Sequence, residues 1–344
     1  MRDAVMQSDA SELPAGRDGA SRFSDRFHAV RCSSCGADDY RVEIELDEDY
    51  EYLGIIDDWY SRGPFRIVRC NRCSLVYLNP QPTLEEVLHY YPDEYCCFAE
   101  LPPKSPLIKL MYKVLVRLKA RELLPRLPDD GIFLDFGCGT GHWLTALEPL
   151  AKPTQRFVGI DANEGAIAQL RAAGIEGHVG DDALLAELFE ENSVDLILLN
   201  HVIEHVPDPK ETLRRLAAVL KPGGTIHTTT PNIEAWDRWL FGKHWVGGWH
   251  APRHFTHFDT GSIARLAADA GLEVARLKTS VEAASHWALG MQAALGRRIG
   301  WHPRRGRSRM RIYPLMLALS MPIAGVQAVV SETSVMTIDL RKRA

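Results

Sequence analysis

This 344-residue sequence has no large excess of either charge and no apolar segment near its start. The 40 Lys and Arg residues nearly balance the 45 Asp and Glu residues, which leaves a net charge of −5. Such a balance gives no general attraction to nucleic acid, and we expect no nucleic-acid partner. Residues 1–28 are polar and rich in Asp, Ser and Gly, so we expect a disordered tail and, without a signal segment, a cytoplasmic protein.

Cysteine is scarce, and its odd count of seven fits metal ligation or free thiols better than a set of disulfides. Four cysteines form two C-x-x-C pairs, namely Cys32, Cys35, Cys70 and Cys73. Two such turns can direct four thiolates at one ion, which predicts a structural Zn²⁺ in a zinc-ribbon-like module with strands at 40–46 and 65–68. Four unrelated buried thiols are the alternative. Redox dithiols are disfavoured because neither pair begins a helix of a βαβ unit.

The most informative stretch runs from Leu134 to Trp143 and reads as a buried strand, a glycine-rich turn and a helix. Gly137, Gly139 and Gly141 occupy alternate positions, where a side chain would block backbone approach to a ligand or a positive φ. This arrangement places free N–H groups at a helix N-terminus, against a nucleotide-like molecule. Asp161 ends the next strand, twenty residues past Gly141, and its carboxylate suits two ribose hydroxyls.

Strands and helices alternate from Gly131 onward, as a parallel sheet requires. The predicted strands are 132–136, 157–160, 177–179, 194–199, 225–229, 272–278 and 334–340. They predict an α/β fold with a Rossmann-like sheet, and an insertion of about fifty residues before the last strand. The glycine spacing is G-x-G-x-G rather than the dinucleotide G-x-G-x-x-G, which disfavours a nicotinamide oxidoreductase.

Five further stretches strengthen the pattern: Val158 to Asp161, Gly180 to Asp182, Val194 to Asn200, Glu204 to Asp208 and Leu220 to Gly224. In order and approximate spacing, they and the glycine turn resemble the class I S-adenosylmethionine-dependent methyltransferases over about residues 126–280. The preceding cysteine module is similar to an arrangement in sugar- and polysaccharide-linked members of that family. The resemblance implies a class I methyltransferase sheet and S-adenosylmethionine as cofactor.

The resemblance also implies roles for individual residues on the cofactor side. The three glycines would lie against the methionine moiety, Asp135 would receive its ammonium group, and Asp161 would hold the ribose. Asp181 or Asp182, together with Ala183, would meet the adenine amino group, although a solvated turn is the alternative for both aspartates. Asn200 would face the sulfonium.

The run from His201 to His205 follows a central strand at the sheet edge where ligands bind. Its H-x-x-E-H spacing matches a zinc peptidase motif, but that motif requires a helix. Ubiquinone-type O-methyltransferases, which this stretch resembles more, bind a divalent metal with Glu-x-x-Glu-His. His201 stands at the first of those positions here, which weakens the case for Mg²⁺. We predict His205 as a general base, with a packed core imidazole as the alternative.

Residues 236–258 hold four of the eight tryptophans and several histidines. The run from Trp245 to Phe258 resembles the acceptor-side loop of the same methyltransferase branch. An aromatic wall with Arg253 and imidazoles would hold a ring or a sugar, and a packed lid is the alternative. His254 is our second candidate base and His201 the third.

The insertion contains no acidic residue between Ala283 and Ser331, and seven arginines fall within 297–311. An apolar run follows, but Pro314, Pro322 and Gln327 argue against a membrane-spanning helix. We therefore expect segment 297–330 either to contact the inner membrane face peripherally or to form a helical cap or dimer face. The arginines could equally face a phosphorylated carrier.

These observations divide the chain into six predicted segments. They are a tail (1–28), a zinc-ribbon-like module (29–80), a helical connector (81–125), the cofactor-binding core (126–280), a basic and apolar helical insertion (281–331) and the last strand with its tail (332–344). We predict a methyltransferase acting on oxygen or carbon of a small-molecule or carrier-linked saccharide or lipid acceptor. The alternatives are a non-catalytic nucleotide-binding zinc protein and an NAD-dependent oxidoreductase.

Overall fold

The computed structural model describes residues 26–52, 55–56, 60, 62–91, 106–279, 283–303, 309–330 and 332–343. Most of the predicted tail, the proline-rich part of the connector and the middle of the arginine-rich segment lie outside these residues. Cys96 and Cys97, which we expect to be simple thiols, also lie outside them.

The described residues contain thirteen β-strands. They are β1 Phe27–His28, β2 Tyr40–Glu48, β3 Arg62–Cys70, β4 Val76–Leu78, β5 Gln81–Pro82, β6 Ile132–Phe136, β7 Arg156–Asp161, β8 Glu176–Val179, β9 Val194–Asn200, β10 Leu220–Pro231, β11 Thr256–His257, β12 Leu272–Thr279 and β13 Val335–Lys342. Every strand predicted from the sequence is found, with its ends displaced by a few residues.

The α-helices of the described residues connect these strands. They are α1 Leu84–Val87, α2 Pro106–Leu123, α3 His142–Leu147, α4 Glu164–Ala172, α5 Leu185–Leu188, α6 Pro209–Val219, α7 Asp237–Phe241, α8 Val246–Trp249, α9 Thr260–Asp269, α10 Ala283–Ile299 and α11 Tyr313–Val330.

Seven strands form the central sheet, in the order β12-β13-β10-β9-β6-β7-β8. Strands β8, β7, β6, β9 and β10 are parallel neighbours, whereas β13 is antiparallel to both β10 and β12. The apolar residues of β9 are almost fully buried because helices cover both faces of the middle of the sheet. This mixed α/β sheet confirms the predicted Rossmann-like class.

The cysteine module contributes a second sheet, in the order β11-β4-β3-β2. Its outer strand β11 comes from the aromatic loop more than 170 residues later, and pairs antiparallel with β4 through Thr256 and Tyr77. Module residues Cys32, Val68 and Leu75 belong to the same hydrophobic cluster as the central sheet. The module is therefore packed against the sheet and shares a strand with the loop at its edge.

The insertion forms two helices, α10 and α11, in agreement with the predicted helical insertion. α10 packs against α11 through small and aromatic residues, among them Ala284, Trp287 and Ala324. Trp287 also contacts Phe241 of α7, with ring centroids 5.3 Å apart. Within the described residues, no helix combines the length and the apolar character that crossing a bilayer demands.

Candidate functional site

The turn after β6 is shaped by three glycines with positive φ. Gly137, Gly139 and Gly141 have φ values of 75°, 53° and 74°, in the left-handed region that side chains disfavour. A Cβ on Gly137 would lie 2.5 Å from Val202, and one on Gly141 would lie 2.2 Å from Leu170. The glycines therefore serve close packing as well as backbone exposure at the start of α3.

Asp161 at the end of β7 holds this turn in place. One carboxylate oxygen accepts the Gly139 N–H at 2.7 Å, and the other accepts the Asn163 N–H at 2.8 Å. Burial raises the pKa of Asp161. Each oxygen retains a lone pair, so the predicted ribose contact is compatible with these bonds.

Asp135, in β6, is a second carboxyl group beside the turn, and unlike the partly buried Asp161 it is buried. Asp135 is 2% exposed. Burial, together with the nearby charge of Asp161, raises the pKa of Asp135 to about 7. Two carboxyl groups in one buried site favour a cationic ligand, because a cation offsets both desolvation and their mutual repulsion. The placement agrees with the ammonium contact that the family resemblance implies for Asp135.

Asn200 ends β9 at the same edge of the sheet. Its Oδ1 atom is buried and has no hydrogen-bond partner among the described residues. A buried acceptor in this state normally has a ligand or water partner. The next residue, His201, adopts a φ of 55° and turns the chain away from the sheet.

The two candidate adenine residues differ in their surroundings. Asp181 accepts the Ala183 N–H at 2.9 Å and caps a short turn. Asp182 accepts from the Thr212 hydroxyl at 2.5 Å and from Arg215 at 3.0 Å, both on α6. Asp182 is thus bound to the neighbouring helix, and Asp181 is the freer of the two for the predicted adenine contact.

A second group of polar residues lies where the loop after β9 meets the aromatic loop. The carbonyl oxygen of Glu204 accepts from the N–H groups of Phe255 and Thr256, at 2.8 and 3.2 Å. This pairing brings His205 beside His254, with ring centroids 4.6 Å apart and planes 77° apart. The three predicted catalytic histidines therefore fall on adjoining loops, and His201 bonds to Glu204 through Nδ1 at 3.2 Å.

Burial dominates the electrostatics of these imidazoles. It lowers the pKa of His205 to about 4 and holds the pKa of His254 well below its usual value. Both rings are therefore neutral at pH 7. Burial is the largest single influence on Glu204 and would raise its pKa, but the hydrogen bond from His201 and the charge interactions with His201 and His205 together lower the pKa below its usual value.

Acidic residues just after β2 complete this region, and sequence reasoning missed them. Asp49 lies 2.7 Å from Nη1 of Arg253, and Glu51 lies 2.9 Å from Nδ1 of His250 and 2.7 Å from Arg309. The Tyr91 hydroxyl lies 3.0 Å from Nδ1 of His205. Nothing in the spacing of the acidic run 47–51 indicates these partners, because they lie about 200 or more residues further along the chain.

The predicted aromatic wall is wrong for its two central tryptophans. Trp245 and Trp249 are 1% and 2% exposed, and both belong to the hydrophobic cluster that joins the module to the loop. Their indole N–H groups bond to Asp237 and to the Gly242 carbonyl. Arg253 is fully buried against Asp49, so it holds the loop in place rather than offering a surface to a sugar.

The four module cysteines come together as the C-x-x-C spacing predicts. Their sulfur atoms all lie within 4.8 Å of one another, with Cys32 and Cys73 at 3.4 Å and Cys35 and Cys70 at 3.6 Å. These distances are near the roughly 3.8 Å that a tetrahedral zinc with about 2.3 Å metal–sulfur bonds requires. The two turns also match, because Gly36 and Ser74 both have positive φ and donate to the carbonyl of the first cysteine of their pair. The residues fit a structural zinc ion.

The central part of the chain is similar to a known family. A family described as a methyltransferase domain matches residues 109–277, just under half of the sequence. This match covers the glycine turn, the loop after β9 and the aromatic loop. With the order of the seven strands, it supports a class I S-adenosylmethionine-dependent methyltransferase.

Individual relatives align over part of their length. A ubiquinone biosynthesis O-methyltransferase of Bradyrhizobium is 35% identical over 29% of this chain and 39% of its own. A demethylmenaquinone methyltransferase of Staphylococcus aureus is 38% identical over 29% of this chain and 44% of its own. A transposon protein of Streptomyces fradiae is 31% identical over 41% of this chain and 43% of its own. The chain thus spans less than half of the length of these relatives.

Solved structures show a more distant similarity. Geranyl diphosphate C-methyltransferase of Streptomyces coelicolor has a TM-score of 0.46 and 15% identity, over 70% of this chain and 86% of its own. A SAM-dependent methyltransferase of Archaeoglobus fulgidus has a TM-score of 0.44 and 14% identity, over 67% of this chain and 94% of its own.

Proposed function

We propose that this protein transfers the methyl group of S-adenosylmethionine to oxygen or carbon of a small-molecule acceptor. The observation that carries the proposal is the pair of carboxyl groups beside the glycine turn, the buried Asp135 and the partly buried Asp161. The cofactor is a cation with an ammonium group and ribose hydroxyls, and each carboxyl group offers the acceptor atoms that one of these requires. The unpaired Oδ1 of Asn200 supports a ligand at the same edge.

A binding experiment separates this function from its alternatives. We expect calorimetric titration to detect S-adenosylhomocysteine binding and no NAD binding, because the turn lacks the spacing for a diphosphate. Binding of NAD alone would favour an oxidoreductase. Binding of S-adenosylhomocysteine without turnover on any fraction of a cell extract would favour the non-catalytic nucleotide-binding protein.

The acceptor is proposed to be a quinone-like, saccharide or lipid precursor, free or linked to a carrier. Two relatives that match over part of this chain are a ubiquinone biosynthesis O-methyltransferase and a demethylmenaquinone methyltransferase. The histidines that face one another at the loop junction support an acceptor whose proton must be removed. His205 is the first candidate base, His254 the second and the more exposed His201 the third.

We also propose that Cys32, Cys35, Cys70 and Cys73 bind one structural Zn²⁺. Their sulfur separations support this, and so do their positions. Arg265 of α9 donates to the Cys73 carbonyl at 2.8 Å, and Lys210 of α6 donates to the Ser34 carbonyl at 3.3 Å. A metal at this place would fix the module against two helices of the central domain.

The insertion supports a peripheral contact with an anionic membrane. One face of α11 is apolar and exposed, with Leu315 at 60%, Leu319 at 57% and Val326 at 62%. Trp239 and Leu240 of α7 are also exposed, and α7 is joined to α11 by a 2.7 Å hydrogen bond from Gln327 to Asp237. Apolar helix faces of this kind insert into the interfacial layer of a bilayer.

The charge of the insertion supports an anionic partner surface. Arg298 and Arg311 are exposed at the end of α10 and just before α11, next to the exposed Ile299 and Ile312. Residues 283–331 contain no acidic side chain to repel lipid phosphate. Each arginine near such a surface contributes about 1 kcal/mol to binding. A membrane-bound enzyme would have direct access to lipid-linked acceptors.

A further inference from the structure

Glu204, His205 and His254 form a compact group that the cofactor contacts do not use. One potential ligand atom from each residue lies within 4.8 Å of the other two. Glu204 is 1% exposed and His254 is 4% exposed. A buried carboxylate, a buried imidazole and the partly buried imidazole of His205 require a physical reason to be held together, because each is costly to remove from water.

Hydrogen bonds fix the tautomers of both imidazoles. Nδ1 of His254 lies 2.9 Å from the Gly248 carbonyl oxygen, and Nδ1 of His205 lies 3.1 Å from the Arg253 carbonyl oxygen. A carbonyl oxygen only accepts, so Nδ1 is the donor in both rings and each Nε2 atom carries a lone pair. The Tyr91 hydroxyl, 3.0 Å from Nδ1 of His205, is then a second acceptor for that N–H group. Imidazoles that bind metals are oriented in this way, by a carbonyl group behind the ring.

Glu204 supplies negative charge without a strong cationic partner. Its two oxygens accept from His201 at 3.2 Å and from the Thr230 hydroxyl at 3.0 Å. Among the described residues, no lysine or arginine forms an ion pair with it. An ionised carboxylate buried in this way is stabilised by a cation placed next to it.

We propose that Glu204, His205 and His254 bind one divalent transition-metal ion on the acceptor side of the site. Two imidazoles and one carboxylate suit Zn²⁺ or a similar ion, whereas Mg²⁺ requires oxygen ligands. The set differs from the Glu-x-x-Glu-His run of ubiquinone-type enzymes. His201 replaces the first carboxylate and bonds to Glu204, and the third ligand comes from the aromatic loop.

Three protein ligands leave coordination positions for an acceptor oxygen. This role rests on the proposed methyl transfer, whereas metal binding itself does not. With the ion bound, His205 and His254 would be ligands instead of bases, and the ion would promote loss of the acceptor proton by lowering the pKa of the acceptor hydroxyl. The ion would also explain why the aromatic loop is tied to Glu204 through the N–H groups of Phe255 and Thr256. Those bonds place His254 opposite His205.

The test counts metal ions per chain in full-length protein after dialysis against Zn²⁺ or Mg²⁺. The variants are Glu204→Gln and His254→Gln, which remove ligands with little change of volume. His257→Gln is the matched control, because His257 is a buried imidazole on the same loop, 6.1 Å from the His254 ring and outside the group. Binding of S-adenosylhomocysteine to each variant reports whether the cofactor side remains folded.

We expect the wild type and His257→Gln to hold one more Zn²⁺ per chain than either ligand variant, with S-adenosylhomocysteine affinity unchanged. Removing a ligand should weaken Zn²⁺ binding at this site by at least about tenfold, since even outer hydrogen-bond partners have effects of that size. The proposal would be overturned if all four proteins held the same amount of Zn²⁺. It would also be overturned if His257→Gln lost as much Zn²⁺ as the ligand variants, or if the site bound Mg²⁺ in preference to Zn²⁺. A wild type that holds the extra Zn²⁺ but fails to bind S-adenosylhomocysteine would instead overturn the proposed function.

Discussion

The two sides of the site are built in different ways. On the cofactor side, the Gly139 N–H meets a carboxylate 22 residues away, and the turn, strand and helix are consecutive. On the acceptor side, Arg253 meets Asp49 across 204 residues and His205 meets Tyr91 across 114. The cofactor side therefore depends on local geometry, whereas the acceptor side depends on the docking of the cysteine module and the insertion. Changes to distant segments should affect the two sides unequally.

The largest expected effect comes from the module. Cys32→Ser combined with Cys70→Ser should remove one metal ion per chain and lower the unfolding midpoint by at least about 10 °C. Structural zinc contributes about 10 kcal/mol or more to the folding of small metal modules, and each kcal/mol shifts the midpoint by about 1–2 °C in a chain of this size. Metal analysis and calorimetry check this. Affinity for S-adenosylhomocysteine should change much less than turnover.

Cys138→Ser is the matched control, because it removes a buried thiol outside the module. It should keep its metal content. Zinc that survives the double change would mean that the ligands lie elsewhere in the chain.

Next in size is the loss of an acceptor-side imidazole. His205→Ala should slow turnover by about 10²–10⁴-fold with nearly unchanged affinity for S-adenosylhomocysteine. Removal of the acceptor proton is lost whether His205 acts as the base or as a ligand of the ion, while the cofactor side is intact. His254→Ala is the second variant, and His178→Ala, a half-exposed imidazole paired with Glu176, is the control. Wild-type rates in both acceptor-side variants would mean that these rings serve packing only.

The cofactor side should depend on pH through Asp135. Its pKa is raised to about 7 in the absence of ligand, and only its ionised form attracts an ammonium group. Affinity for S-adenosylmethionine should therefore rise by about tenfold as the pH increases from 5.5 to 7, since one proton is released on binding. The slope should disappear in Asp135→Asn. An equal slope in that variant, measured by calorimetry, would remove Asp135 from the cofactor contacts.

The smallest effect is expected at the membrane face. Leu319→Glu should reduce binding to phosphatidylglycerol vesicles by at least about fivefold, because one added negative charge near an anionic surface costs about 1 kcal/mol. Leu150→Glu, at a leucine that is 51% exposed on another surface, should leave sedimentation with vesicles unchanged. Equal binding of both variants, or equal binding to phosphatidylcholine vesicles, would contradict an electrostatic contact through this face.

The sequence allowed the central sheet to be predicted because each parallel strand is a short apolar run that ends in a turn signal. The glycine turn and Asp161 were predictable for the same reason, since their spacing is local. The clustering of the four cysteines was predictable because two C-x-x-C turns in one small module are the pattern of a shared metal site. Asp49, Glu51 and Tyr91 were not, because their partners are set by packing between segments far apart in the chain. The burial of Trp245 and Trp249 was missed because an aromatic-rich loop has the same composition whether it lines a pocket or fills a core.

The central claim is that the turn between Asp135 and Asp161 binds S-adenosylmethionine, and calorimetric titration with S-adenosylhomocysteine tests it most directly. The wild type should bind, and Gly139→Arg and Asp161→Ala should each weaken binding by at least tenfold, about 1.4 kcal/mol. Asp129→Ala, which removes an exposed carboxylate in the loop before β6, should bind like the wild type. Binding that is unchanged in both site variants would contradict the account.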